Sequence, residues 1–100
     1  MYPFKTKTSS KEIAKQEPIF FLKVKKHLDE GNNVNKPLDD IHNTLLHQAA
    51  VSGFTDTVSF LIKSGASVDS VTSDNDTPLC MAAHFGHSKI VSILLQNGAN

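Results

Sequence analysis

The sequence predicts an all-α repeat solenoid, a stack of helix-turn-helix units joined by β-hairpin loops. Two observations carry this. Residues 44–67 (TLLHQAAVSGFTDTVSFLIKSGAS) recur as residues 77–100 (TPLCMAAHFGHSKIVSILLQNGAN), displaced by 33 residues without a gap and identical at 10 of 24 positions. The identities are Thr, Leu, Ala-Ala, Gly, Val-Ser, Leu and Gly-Ala, residues that set backbone and packing rather than chemistry. A fixed period of this length marks units that bury their apolar faces only against their neighbours. Such an array offers a surface for binding in place of a deep pocket.

The elements follow in chain order. Residues 1–17 are polar and rich in Lys, Ser and Thr, and are expected to form a flexible N-terminal tail. Within it Ser9 and Glu12 have capping-box spacing, and Ile13 and Ala14 suit a short helix that Pro18 would stop. Pro18 is placed as the first residue of a new helix, with Phe20, Phe21, Val24 and Leu28 on one stripe and an end near Glu30. Gly31 stops that helix. The segment GNNVN at 31–35 parallels GASVD at 65–69, so residues 18–38 form a degenerate first unit with an offset of 34, the extra residue falling around Lys36-Pro37. The second unit spans 39–71 and the third 72–100. Thr44 and Thr77 are N-caps, with Pro78 at the first helical position after the latter. Leu46, Ala49 and Ala50, like Leu79, Ala82 and Ala83, form an inner stripe whose alanines allow close helix approach. Gly53 and Gly86 end these short helices. Val58, Leu61 and Ile62, with Val91, Leu94 and Leu95, form the stripe of a second, antiparallel helix closed by Gly65 and Gly98 as left-handed C-caps. Between Gly65 and Thr77 lies a turn-rich stretch expected to project as a hairpin.

Composition narrows the function. All ten basic residues are Lys, and the net charge is zero, so nucleic-acid binding is not expected. The charge is uneven, with seven Lys against four acids in residues 1–30 and three against six in residues 31–100. Cys80 is the single cysteine, which precludes an internal disulfide and fits a cytoplasmic setting. The longest apolar run, Ile19 to Leu22, is too short for a signal peptide core or a membrane span, and no membrane partner is expected. Lys23, Lys25 and Lys26 are assigned to a solvated helix face in preference to an anionic membrane or an acidic partner.

Taken together, DTPLCMAAHFGHSKIVSILLQNGAN and NTLLHQAAVSGFTDTVSFLIKSGASVD resemble the ankyrin repeat, whose motif reads roughly G-x-T-P-L-H-x-A-A-x-x-G-H-x-x-I-V-x-x-L-L-x-x-G-A-x-V-N. With the weaker copy at 18–38 the resemblance covers about four fifths of the chain. His42 and Asn75 stand where the hairpin Gly is usual, Leu45 where Pro is, and Cys80 where a buried His is. The resemblance implies a non-catalytic protein-interaction module that engages its partner with hairpin tips and the exposed end of each first helix. Carried over by position, the tips are Asp40, Ile41 and Asn43, then Ser73, Asp74 and Asp76; the helix positions are Val51 and Ser52, then His84 and Phe85. Acidic tips beside apolar groups favour a partner offering Lys or Arg with an apolar anchor.

Sharper chemistry fares less well. Cys80, His84 and His87 have the spacing of metal ligands on a continuous helix, but Gly86 interrupts it, and no fourth ligand is evident; no metal and no cofactor are expected. A Cys80 nucleophile is discounted because that position is expected to be buried. Phe85 is weighed evenly as a binding anchor and as packing. Asn35 matches a position that asparaginyl hydroxylases modify in the family, and is read as a turn residue. The chain ends after the third unit's helix stop without a polar cap, so either a fragment of a longer protein or a marginal mini-array is expected. A monomer is anticipated, with self-association through the third unit as the competing state. The leading function is a scaffold or adaptor. The alternatives are a host-directed secreted effector acting in a host cytosol, and the N-terminal docking part of a longer multidomain protein.

Overall fold

The computed structural model describes residues 10–99, and the side chains of residues 11–99. Ser9 and the rest of the expected tail up to residue 9 lie outside the described residues, as does Asn100. Five helices are found among the described residues: α1 (Ser10–Asp29), α2 (Leu45–Ser52), α3 (Thr55–Lys63), α4 (Pro78–His84) and α5 (Ser88–Gln96). The short helices α2 and α4 pack side by side, as do α3 and α5 behind them, and α1 lies against α3.

The breaks that separate α2 from α3 and α4 from α5 are copies of one another. Gly53 and Gly86 both adopt left-handed backbone, at φ of 79° and 75°. The N–H of the residue after each glycine closes the turn, Phe54 N donating to Ala49 O at 3.0 Å and His87 N to Ala82 O at 2.8 Å. The second helices end alike, with Ala66 N on Leu61 O and Ala99 N on Leu94 O, after Gly65 and Gly98 at φ of 97° and 94°. Leu46, Ala49, Ala50, Val58, Leu61, Ala82, Ile90 and Leu94 are buried in one continuous core. Of the other residues in the expected stripes, Ile62, Leu79 and Val91 are partly buried against that core, and Ala83 and Leu95 are exposed on the outer side of the third unit.

The first unit departs from expectation. Residues 10–17 are helix rather than loose tail, and Pro18 neither ends one helix nor begins another; it lies inside α1. Laid over the second unit at the offset of 34, Ile19 occupies the place of Gly53. A β-branched residue is a poor substitute for glycine at positive φ, so the turn cannot form and the helix runs through. Pro18 removes one backbone donor and crowds the Ala14 carbonyl, a disruption of about 3 kcal/mol in a free helix. Packing offsets it on both sides. Ile13 joins the core margin, Val24 is buried at 2 % exposure, and the Phe20–Phe54 and Phe21–Phe60 rings meet at centroid distances of 5.3 and 4.9 Å.

A second tertiary contact compensates α3. Its N-cap residue, Phe54, offers no side-chain hydrogen bond. The carboxylate of Glu17, forty residues earlier, fills that role: Oε2 accepts from Thr57 N at 3.0 Å and from Thr57 Oγ1 at 3.1 Å. The helix N-terminus favours an anion there, and Thr57 is fully buried, so the contact is shielded from water.

Two stability predictions follow from these junctions. A Cβ built on Gly53 would lie 2.7 Å from His87 Cε1 and 2.9 Å from Ile13 Cδ1, whereas one on Gly65 meets nothing within 4 Å. Gly53→Ala is therefore expected to lose about 2–4 kcal/mol, from backbone strain plus overpacking, and Gly65→Ala about 1 from strain alone; urea unfolding of the two variants checks the order. Glu17→Ala is expected to cost about 1–2 kcal/mol. Glu30→Ala, an exposed change just past the end of α1, should leave the urea midpoint where it was, and equal losses in the two would dismiss the cap.

Candidate functional site

The two hairpin tips share one internal frame. In the first, Leu38 N donates to Asn43 O and His42 N to Asp39 O; in the second, Thr72 N donates to Asp76 O and Asn75 N to Thr72 O. One pairing of this kind closes a turn without building a ladder, and no strand is assigned among the described residues. His42 and Asn75 both take left-handed backbone, at φ of 64° and 66°, the geometry expected of residues standing in the hairpin glycine's place. A side-chain oxygen organises each tip. Asp39 Oδ1 accepts from Ile41 N at 3.2 Å and Asn43 N at 3.0 Å. Thirty-three residues on, Thr72 Oγ1 accepts from Asp74 N at 3.3 Å and Asp76 N at 3.2 Å. The Asn43 side-chain amide, which donates to Asp39 Oδ2, and the two backbone N–H groups hold the Asp39 carboxyl below its ordinary range.

Polar bridges join unit to unit beneath these tips. Ser73 N donates to Ile41 O at 2.8 Å, and Ser73 Oγ meets His42 Nδ1 at 3.2 Å. Asn35 spans the first and second units, its amide donating to Gly65 O at 3.1 Å and accepting from Ser67 N at 2.7 Å. His47 is completely buried and bridges the second and third. Thr44 N–H donates to His47 Nδ1 at 3.2 Å, so the ring proton sits on Nε2, which donates to Asp76 O at 3.0 Å. Removal of the ring from water is the chief cause that lowers its pKa below the ordinary 6.5.

The residues expected to bind a partner divide accordingly. Asp40, Ser73 and Asp74 are exposed at the tips, and Ile41 is half-buried between them. Asn43 is not available in the same way, since its amide is committed to Asp39. Asp76 is half-buried and supplies its backbone to Thr72 and His47. On the helices the expectation holds for one unit only. His84 is exposed and Phe85 partly so, their rings edge to face with centroids 5.0 Å apart. Val51 and Ser52 are each 2 % exposed and cannot be contact residues. Helix α2 packs against α4, and Ser52 lies in the wall of a groove lined also by Gln16, Ile19, Phe20, Lys23, Gln48 and Phe54.

Cys80 also differs from expectation. Its counterpart His47 is buried because the following hairpin closes over it; Cys80 is exposed, among Asp76, Met81, His84 and Phe85. His87 points elsewhere: its Nε2 lies 3.0 Å from Val51 O, and its ring fills the space left by Gly53. Cys80, His84 and His87 therefore do not converge, and among the described residues no group of three or more ligands is placed to hold a metal ion. Sequence reasoning missed Glu17, whose only signal was an acid in a segment assigned to a tail.

Comparison with known proteins adds the lineage. A model of ankyrin repeats matches residues 18–100 in three copies. The chain is 41 % identical over 81 residues to human palmitoyltransferase ZDHHC13, covering 80 % of this chain and 13 % of that protein. It is 37 % identical over 79 residues to Drosophila melanogaster palmitoyltransferase Hip14, covering 78 % and 12 %. It is also 38 % identical over 95 residues to a Danio rerio putative palmitoyltransferase ZDHHC13, covering 93 % and 15 %. The chain thus spans under a sixth of the length of these relatives.

The buried His47 generates a pH prediction. With its folded pKa below the unfolded value, its contribution to stability is complete above about pH 6.5 and is lost as pH falls toward the folded value. Thermal midpoints should therefore decline as pH falls below about 6.5, and His47→Gln should flatten that slope while lowering stability at neutral pH. An unchanged slope in the variant would move the titration to another group. The Asp39 loss, with the same sign, belongs to more acidic solution, below the ordinary carboxylate value of 3.8.

Proposed function

Because the chain belongs to the ankyrin-repeat family, we propose that it is a non-catalytic docking module that selects a protein partner through its two hairpin tips and the exposed end of α4. The observation that carries this is the division found above. Backbone and buried side chains at the tips are consumed in holding the array together, while Asp40, Asp74, His84 and Phe85 remain presented to solvent. Two exposed carboxylates beside Ile41, with an aromatic pair on α4, suit a segment carrying Lys or Arg next to an apolar side chain. Exposed Cys80 and His84 border the same surface and add a rim of modest polarity.

The relatives favour a second, compatible reading over the effector alternative. Each is named as a palmitoyltransferase, and the chain matches only a small part of each. On this reading the chain is the recruiting part of a longer transferase of the cytoplasm, presenting proteins to chemistry performed elsewhere. Nothing in the tips or on α4 is arranged as nucleophile, base and orienting group; the buried histidines His47 and His87 are bonded to backbone carbonyls.

Charge reversal tests the docking surface. Asp40→Lys with Asp74→Lys is expected to lower retention of basic-apolar peptides from an array by about tenfold, mainly through slower association and a weaker salt dependence. Lys63→Glu, on the back of α3, should not. Equal retention by the tip variant and the parent chain would remove the tips from the interface, and Phe85→Ala then asks whether α4 alone carries it.

A further inference from the structure

Helix α1 has two apolar faces, and the core uses only one. Val24, Phe20, Leu28 and Ile13 turn into the core, and Phe21 turns onto Phe60 of α3. On the opposite side Ile19 and Leu22 are 58 % and 65 % exposed, next to one another on a single helix. They stand in one line with Lys15 and Lys26, at helical spacings of four, three and four residues. Lys11, Lys23 and Lys25 flank the line and are also exposed. The acids of α1 offset them only in part, with five exposed Lys against two exposed acids, Glu12 and Asp29. Glu17 is turned into the fold on Thr57, Glu12 is bonded to Gln16, and Asp29 lies at the C-terminal end. Beyond residue 30 the charge reverses, with three Lys against six Asp. The sequence alone assigns these lysines to a solvated face; the structure sets two unpartnered aliphatic side chains in their midst.

We propose that the outward face of α1 is a peripheral contact site for the headgroup region of an anionic lipid bilayer. The chemistry of the face selects that occupant over a shaped protein groove. Lys15, Ile19, Leu22 and Lys26 are exposed along its whole length, which suits a flat, deformable surface, while Ile19 and Lys23 also border a groove against Gln48, Ser52 and Phe54. Its cations are ammonium groups on flexible stems, which lie along apolar surface and reach diffuse negative charge without the fixed fork an arginine would bring. Ile19 and Leu22 enter the boundary between headgroups and acyl chains while the lysines spread around them, as an in-plane amphipathic helix does. Among the described residues no helix is long and apolar enough to cross a membrane, so the contact lies in the plane of the surface. Two aliphatic side chains make a weak, reversible anchor. The acidic tips are repelled by the same surface, which leaves Asp40 and Asp74 for a partner in solution.

Vesicle co-sedimentation of the 100-residue chain tests this without any protein partner, so its result is separable from that of the docking experiment. The chain is expected to sediment with phosphatidylcholine vesicles containing phosphatidylserine, not with phosphatidylcholine alone, and to be released by salt. Lys15→Glu with Lys23→Glu should reduce the bound fraction at least about fivefold, and Ile19→Ser with Leu22→Ser should also reduce it. All four positions are exposed, so the circular dichroism spectrum should be unchanged. Lys63→Glu with Lys89→Glu, on α3 and α5, the same change of charge elsewhere, should bind as the parent does. Equal recovery with and without phosphatidylserine overturns the proposal. So does loss in the lysine variant with none in the Ile19/Leu22 variant, which would be plain charge adhesion. Capture of an acidic helical peptide by a chain that ignores both vesicles would also overturn it and assign the face to a protein.

Discussion

Close approach at Gly53 is the constraint on which the stack depends. Ile13 from the first unit and the His87 ring from the third both come within 3 Å of where a Cβ would stand on the second, at a residue already in left-handed backbone. Three units therefore meet at a point that carries no side chain. Around it the turn that reverses α2 into α3 is closed, Glu17 is brought to the N-terminus of α3, and His87 reaches Val51 O. A larger residue there would separate all three units together, because the core is shared between neighbours and no unit buries its own face.

The polar bridges are the complement of that apolar contact. Asn35, His47, Ser73 and His87 each reach about thirty residues along the chain to a backbone group of an adjacent unit. Backbone polar groups left unpaired between stacked units would be costly, and the side chains of Asn35, His47 and His87 with the Ser73 N–H satisfy them at points the helices cannot. Their registry sets the spacing of the hairpin tips. The tips are therefore tied to the scaffold by hydrogen bonds, and contacts made before a partner arrives reduce the entropy lost on meeting it. The same commitment bears on the proposed docking: Asn43 and the backbone of Asp76 serve the scaffold, which leaves Asp40, Asp74 and the exposed residues of α4 as the proposed contacts.

The first unit shows how a repeat loses its internal turn. Where the later units have Leu46, Ala49 and Ala50 on the first helix, the offset of 34 places Glu12, Lys15 and Gln16, and Ile19 replaces the turn glycine. The polar residues have no inner layer to enter, and the β-branched residue forbids the reversal. One long helix results. It covers the margin of the core with one face and turns lysines and two aliphatic residues outward with the other.

The sequence by itself determined the repeat, its period, the threonine caps, the glycine breaks and the left-handed tip residues at His42 and Asn75. Those features are local: each depends on the conformational preference of one residue or on apolar spacing within one helix, and the second copy confirms the first. The same local logic located the tips but misjudged Val51, Ser52 and Cys80, because burial depends on which unit lies alongside, and copies that match in sequence differ in their neighbours. It also stopped a helix at Pro18 and treated Glu17 as part of a tail. Tertiary structure decided those, since a proline inside a helix and a carboxylate forty residues from its donor are stable only when packing supplies what the local chain lacks.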